Sequence, residues 1–442
     1  MIHIDTVTVI GANGTMGRNV SAIFASFGNS KVYLISRTKE KSIEAKNKAY
    51  LSVKAESIKE RMIPADYNHI AECVAESDLI FEACAEKWDV KREVHMRISE
   101  ALQQIEDTKY RKIICSGTSG LSITEMANFY EERSRTCFVG MHFFNPPYSM
   151  TLCELVPTKY TDKEILSDIK EYLASVLYRT VVEVMDFPAF LGNRIGFRFI
   201  NEAMQMAEKY KYNGGIDYID AILGPFSGRA MPPLATADFV GLDVHKAIVD
   251  NLYKNTRDFD QKSFELPQYV NELVNDKKFG KKSGAGLYKM WRHDSGMKMC
   301  YVYDISHKHY REKIQYSFPF VEEMVTALKV GDYDTAFRVL IENRSQEADI
   351  CCQFLLKYIL YSLKTAELVG YSIHSADDVM AAGFNWCPPL AMVEAFSGKK
   401  QLKKLCENRI ESSVLEQSDF EQLLDKIEKS KYDFRKYIKA KK

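Results

Sequence analysis

Residues 6–10 read TVTVI, an apolar, β-branched run that leads into GANGTMG at 11–17. Met16, Val20, Ile23, Phe24 and Phe27 then recur at helical spacing, and Gly28 stops the helix. KVYLI at 31–35 is the next strand. This predicts a β-turn-α-β unit with a right-handed connection. Helical patterns fill 38–62, and strand-like runs follow at 78–84, 112–116 and 137–144. Helical stretches separate those runs, the first with Val90, Val94 and Ile98 on one face. Alternation of this kind predicts an α/β, Rossmann-like, doubly wound parallel sheet.

From FPAFLGNRIG at 187–196 onward the pattern turns almost wholly helical. It is punctuated by Gly214-Gly215, Pro225 and Pro232-Pro233. The segment 207–241 resembles the segment 366–398. The anchors are Ala-Glu, an Asp-containing amphipathic helix, and Pro-Pro-Leu-Ala with an acid four residues beyond the Leu. The expected organisation is a dinucleotide-binding domain at 1–186, a first helical copy at 187–295, a charged, tyrosine-rich linker at 296–345, and a degenerate second helical copy at 346–442. Phe354, Leu355, Ile359 and Leu363 give the second copy an apolar face, which must be buried. A partner within the same chain favours a monomer, with a homodimer as the alternative.

Composition narrows the function classes. At 442 residues, two or three domains are expected. Lys+Arg and Asp+Glu are both 60, so net charge offers no case for nucleic acid or an anionic membrane. No apolar run reaches the roughly 18 residues of a membrane span. The 10 cysteines lack CxxC spacing, so no metal is expected. Free thiols behind a chain that opens on a strand rather than an export signal point to the cytoplasm.

The turn Gly11-Ala12-Asn13-Gly14-Thr15-Met16-Gly17 opens a helix directly after a strand. Glycines there let a pyrophosphate approach the backbone, and the helix start supplies free N–H groups. The spacing is GxxGxxG, one residue longer than the usual GxGxxG. At the end of the second strand, where an acid would bind a ribose 2′-hydroxyl, stand Ser36 and Arg37. A carboxylate would repel a 2′-phosphate, whereas a serine and an arginine would bind it. These residues favour NADP over NAD.

Between 137 and 157 the chain reads CFVGMHFFNPPYSMTLCELVP. His142 and Glu154 lie six residues either side of Tyr148. If the proline segment turns the chain back, the two face each other on adjacent strands, with Cβ atoms about 5 Å apart. The carboxylate would orient the imidazole, and the other ring nitrogen would meet a substrate hydroxyl.

With MHFFNPP at 141–147, four further stretches identify a family: CSGTSGLSITEMA (115–127), FEACAEKWDVK (81–91), DFPAFLGNRI (186–195) and KFGKKSGAGLY (278–288). In this order they resemble the 3-hydroxyacyl-CoA dehydrogenases over most of residues 5–290. The resemblance implies that His142 is the acid/base, oriented by Glu154. It implies that Ser119 and Asn193 hydrogen-bond the reacting oxygen or the histidine's surroundings. Glu86, Lys91, Asn145 and Lys282 would contact the dinucleotide, and Ser52 and Lys59 the CoA moiety. Long members of the family carry a tandem C-terminal helical region. Three positions depart from the family pattern: Gly117 replaces an Asn, Gly120 replaces a second Ser, and Ser36 replaces the Asp of NAD-using members.

The expected function is therefore hydride transfer between a nicotinamide cofactor and C3 of an acyl-CoA thioester. One rival is a Rossmann dehydrogenase acting on a free hydroxy acid. The other is a non-catalytic relative kept as a structural or dinucleotide-binding module.

Overall fold

In the computed structural model of the chain, residues 2–105, 111–292 and 298–441 are described. They form two compact units, one of residues 1–190 with 369–371, the other of 191–368 with 372–442.

The first unit is built on eight strands. These are β1 (Thr6–Ile10), β2 (Lys31–Ser36), β3 (Met62–Asp66), β4 (Leu79–Glu82), β5 (Ile113–Ser116), β6 (Phe138–Phe143), β7 (Leu152–Pro157) and β8 (Thr180–Glu183). Their order is β3-β2-β1-β4-β5-β6-β7-β8. Neighbours pair in parallel, except β6 with β7, which are antiparallel. The sheet is thus mostly parallel and Rossmann-like. Strand order reverses beside β1, which opens a crevice at the carboxyl ends of β1 and β4.

β4, β5 and β6 are buried along their whole length, which is why they read as unbroken apolar runs. β3 begins at Met62, where the stretch that reads as helical ends, and its residues were not read as a strand. It is an edge strand and carries Pro64, and an edge is one of the few places in a sheet that tolerate a missing donor.

The second unit is mainly helical. The helix Gly192–Lys209 is buried on nearly every side. Its Phe199 meets Phe354, Tyr358 and Trp386 edge to face. The buried Arg229 guanidinium stacks 3.7 Å from the Phe199 ring centre. The stretch expected as a linker holds ordered elements. There β10 (Lys298–Asp304) and β11 (His309–Glu312) pair, β9 (Tyr288–Arg292) from the stretch expected as the first helical copy completes the antiparallel sheet, and helices Pro319–Lys329 and Tyr333–Glu342 follow. The boundary expected at 295/296 lies outside the described residues.

The two similar segments make matching contacts. Asp220 Oδ1 accepts the amide of Leu234, the residue after Pro232-Pro233, at 2.8 Å. Asp377 Oδ1 accepts the amide of Leu390, the residue after Pro388-Pro389, at 2.7 Å. The second oxygen of each aspartate takes a hydroxyl, from Tyr288 in one case and Ser430 in the other. The acid four residues past each leucine then takes the backbone amide of that same hydroxyl residue. Tyr288 N donates to Asp238, and Ser430 N to Glu394, both at 3.0 Å.

Candidate active site

The glycine turn has little freedom. Gly11 adopts φ +87°, and a Cβ there would lie 2.6 Å from the Ala83 carbonyl oxygen. A Cβ on Gly17 would collide with the Gly11 carbonyl oxygen. Gly14 N closes the turn on Gly11 O at 3.1 Å, so Asn13 is absorbed as a longer loop. The helix Thr15–Ser26 starts with no side-chain cap, leaving its first-turn amides for an anion. This cradle fits a dinucleotide pyrophosphate.

A cavity of about 480 Å³ opens beside it, lined by Gly11, Asn13, Gly14, Thr15 and Met16, the Arg37 and Lys41 side, and Tyr67 with the floor at Ala83–Ala85. The lining contains two cations and no carboxylate among the described residues. Ser36 is buried at the end of β2, and its hydroxyl has no hydrogen-bond partner among the described residues. Lys41 and Tyr67 escaped the sequence reading because nothing but the fold brings them to this cavity.

His142 and Glu154 are direct partners in the β6–β7 register. Both are buried, and Nδ1 lies 2.8 Å from Glu154 Oε2. A carboxylate accepting from Nδ1–H leaves the lone pair on Nε2. The ring is flanked by Phe144 at 4.6 Å and Phe190 at 5.6 Å between centres. Phe190 and Ala189 both have positive φ, +51° and +59°.

The loop that carries Ser119 is tied from two directions. Glu86 Oε1 accepts the Thr118 hydroxyl at 2.5 Å and the Ser119 amide at 2.8 Å. Glu86 Oε2 stands 3.5 Å from the Lys91 ammonium. Gly117 packs so tightly that a Cβ would lie 2.7 Å from the Phe81 ring, which accounts for glycine at this departure from the family pattern. Asp186 caps the following helix, accepting the Ile123 and Thr124 amides and the Ser122 hydroxyl. That cap gives the DFP motif a physical role that sequence reasoning missed.

The remaining residues fall elsewhere. Asn145 Oδ1 accepts from Asn19 Nδ2 at 3.0 Å, which ties the loop after β6 to the first helix. Ser52 is exposed and donates to Lys48 O. Lys59 pairs with Glu56 at 3.2 Å and lies 3.5 Å from the Tyr50 ring centre. Asn193 and Lys282 belong to the second unit. Asn193 is buried in the first turn of Gly192–Lys209, and Lys282 pairs with Asp243 at 2.5 Å.

Residues 6–187 match the family model described as 3-hydroxyacyl-CoA dehydrogenase, NAD binding domain. Residues 190–290 match its C-terminal domain. The chain is 27% identical to a probable 3-hydroxyacyl-CoA dehydrogenase of Bacillus subtilis, over 91% of this chain and 52% of that protein. It thus spans about half the length of that relative. It is 32% identical to the mitochondrial hydroxyacyl-coenzyme A dehydrogenase of Sus scrofa, over 65% of this chain and 92% of the relative. The crystal structure of 3-hydroxybutyryl-CoA dehydrogenase from Escherichia coli shares the fold, with a TM-score of 0.68, 22% identity, and coverage of 95% and 99%. The chain belongs to the 3-hydroxyacyl-CoA dehydrogenase family.

Proposed function

We propose that this protein interconverts 3-hydroxyacyl-CoA and 3-oxoacyl-CoA with NADP(H), using His142 as acid/base. The observation that carries the reading is the buried His142–Glu154 pair, which no binding role needs. Glu154 fixes the imidazole through Nδ1. In oxidation, Nε2 takes the 3-hydroxyl proton; in reduction, it returns a proton to the 3-oxygen. The Gly11–Gly17 turn would hold the pyrophosphate, and Arg37 with Ser36 the 2′-phosphate. Bound there, the nicotinamide supplies or accepts the hydride. Glu86, Lys91, Asn145 and Lys282 are read as further dinucleotide contacts, Ser119 and Asn193 as partners of the reacting oxygen, and Ser52 and Lys59 as CoA contacts.

Cofactor choice follows from charge. Arg37 and Lys41 line the cavity and, among the described residues, no carboxylate does, which supports NADP over NAD. The matched contacts of Asp220 and Asp377 support two copies of one helical unit, with 346–442 the degenerate second copy. A copy that meets its partner within the chain supports a monomer.

The test is a turnover screen of 3-oxoacyl-CoA chain lengths with NADPH and NADH. Turnover that requires the CoA thioester and is faster with NADPH is the expected result. Reduction of free 3-oxo acids at equal efficiency would favour the first rival, and intact cofactor binding without turnover the second.

A further inference from the structure

A second buried polar chain stands behind the serine loop, and of its members the chemistry above uses only Lys91. Glu82 closes β4 and is fully buried. Its Oε1 accepts the Lys91 ammonium at 2.9 Å and the Cys84 amide at 2.6 Å. Its Oε2 accepts Lys91 at 2.9 Å and the Ser116 hydroxyl at 2.7 Å. Burial, the largest influence on this carboxyl, opposes its charge, but Lys91 and then His95 hold it well below the usual carboxylate range.

His95 is 0% exposed. Nδ1 lies 2.6 Å from the Tyr130 hydroxyl, and Nε2 lies 3.5 Å from Glu82 Oε2. The second distance is an electrostatic contact rather than a well-formed hydrogen bond, and Nε2 has no hydrogen-bond partner among the described residues. If the Tyr130 hydroxyl donates to Nδ1, the ring proton sits on Nε2 and faces Glu82. Packing alone does not call for histidine here. Phe129, Tyr130 and Phe138 surround the ring, and phenylalanine would fill the slot without burying two polar nitrogens.

Glu82 reaches the serine loop by three routes. The Ser116 hydroxyl it holds accepts the Thr118 amide at 3.4 Å. Its own carbonyl accepts the Gly117 amide at 2.8 Å. The Lys91 it holds faces Glu86, which in turn grips Thr118 and Ser119.

We propose that His95 and Tyr130 are positioning residues for the serine loop, acting through Glu82. This rests on the reading that the loop meets the reacting oxygen. The pair is the back wall that keeps Glu82 in one orientation. Glu82 then sets the seats of Ser116 and Lys91, and these set the loop.

The test is the double variant His95→Phe/Tyr130→Phe, which keeps the aromatic packing and leaves no orphaned hydroxyl. Its kcat on 3-oxoacyl-CoA should fall about tenfold, the worth of one net hydrogen bond, and dinucleotide affinity, which reaches the network only through Lys91, should fall less than kcat. On a Ser119→Ala background the same change should have little further effect, because members of one network are not additive. Amides 117–121 should exchange faster with solvent in the double variant. His95→Gln should restore both readouts, since a carboxamide can accept from Tyr130 and donate toward Glu82. Equal losses in both backgrounds, or unchanged exchange at 117–121, would overturn the proposal. Tyr130→Phe alone is the milder variant if the double one does not fold, and it should show the same pattern at smaller amplitude. A wild-type chain that reduces no 3-oxoacyl-CoA would sink the proposed function, while the exchange readout would still decide the positioning.

Discussion

His142 and Glu154 face each other across the antiparallel pairing of β6 with β7, with Nδ1 2.8 Å from Oε2. The pairing is a consequence of register. The chain turns between β6 and β7, so residues twelve apart become direct partners. His142→Gln should therefore lower turnover about 10²–10⁴-fold, the usual cost of losing a general acid–base group. Dinucleotide binding, followed by fluorescence titration, should stay nearly intact. Glu154→Gln should cost less and move the pH profile, because the role proposed for it is to orient and polarise the imidazole. Near-normal turnover in a folded His142→Gln protein removes the histidine from the mechanism.

Arg37→Ala should weaken NADPH binding far more than NADH binding. A lost charge-assisted contact costs about 1.5–3 kcal/mol, roughly tenfold to a hundredfold. Parallel titrations with both cofactors decide the point. Equal effects, or a wild-type preference for NADH, would refute the assignment of this residue to a 2′-phosphate.

Ala189→Gly should stabilise the protein. Ala189 holds φ +59° at a buried corner, where an L side chain costs about 1–2 kcal/mol and glycine does not. Glycine's greater chain entropy offsets part of that gain, so about 1 kcal/mol is expected in urea unfolding. A variant no more stable than the parent would mean that the surrounding packing relieves the strain.

Two carboxyls of the second unit should make stability depend on pH. Burial, the largest influence, raises Asp220 to about 7 and Asp377 to about 6, against the donors that favour their charge. In the unfolded chain both titrate near 4. Between those values the folded state keeps protons that the unfolded state has released. Their stabilising contribution is thus complete below about pH 4 and is lost as pH rises through 6 to 7, at about 1.4 kcal/mol per unit of separation. Urea midpoints at about pH 5 and about pH 8 should differ less in Asp220→Asn than in the parent. An identical pH slope in the two proteins would count against the raised Asp220 carboxyl.

Deleting 346–442 should uncover apolar surface in the second unit. Phe199 would lose Phe354, Tyr358 and Trp386, and Arg229 two of the rings it stacks on. Aggregation or new dimerisation in size-exclusion chromatography is the expected result. A truncated chain that stays monomeric and as stable as the parent would show that the two helical segments do not depend on each other.

The first βαβ unit, the Gly11–Gly17 turn and the central strands were legible in the residues, because those features rest on local periodicity and on the glycine spacing. The sequence also suggested that His142 and Glu154 face each other if the proline segment turns the chain back; the β6–β7 pairing supplies that register. Tertiary structure alone decided what depends on distant pairing. β3 was masked by its proline and by the helix before it. β10 and β11 were masked because alternating tyrosines and charges read equally well as a linker. The Glu82–His95–Tyr130 chain joins residues 48 apart in sequence, and no periodicity marks it. Nor could spacing show that Asp220 and Asp377 hold matching leucine amides. Hydrogen bonds of that kind form only when a buried carboxylate must find donors, and which donors are near is settled by how the chain packs.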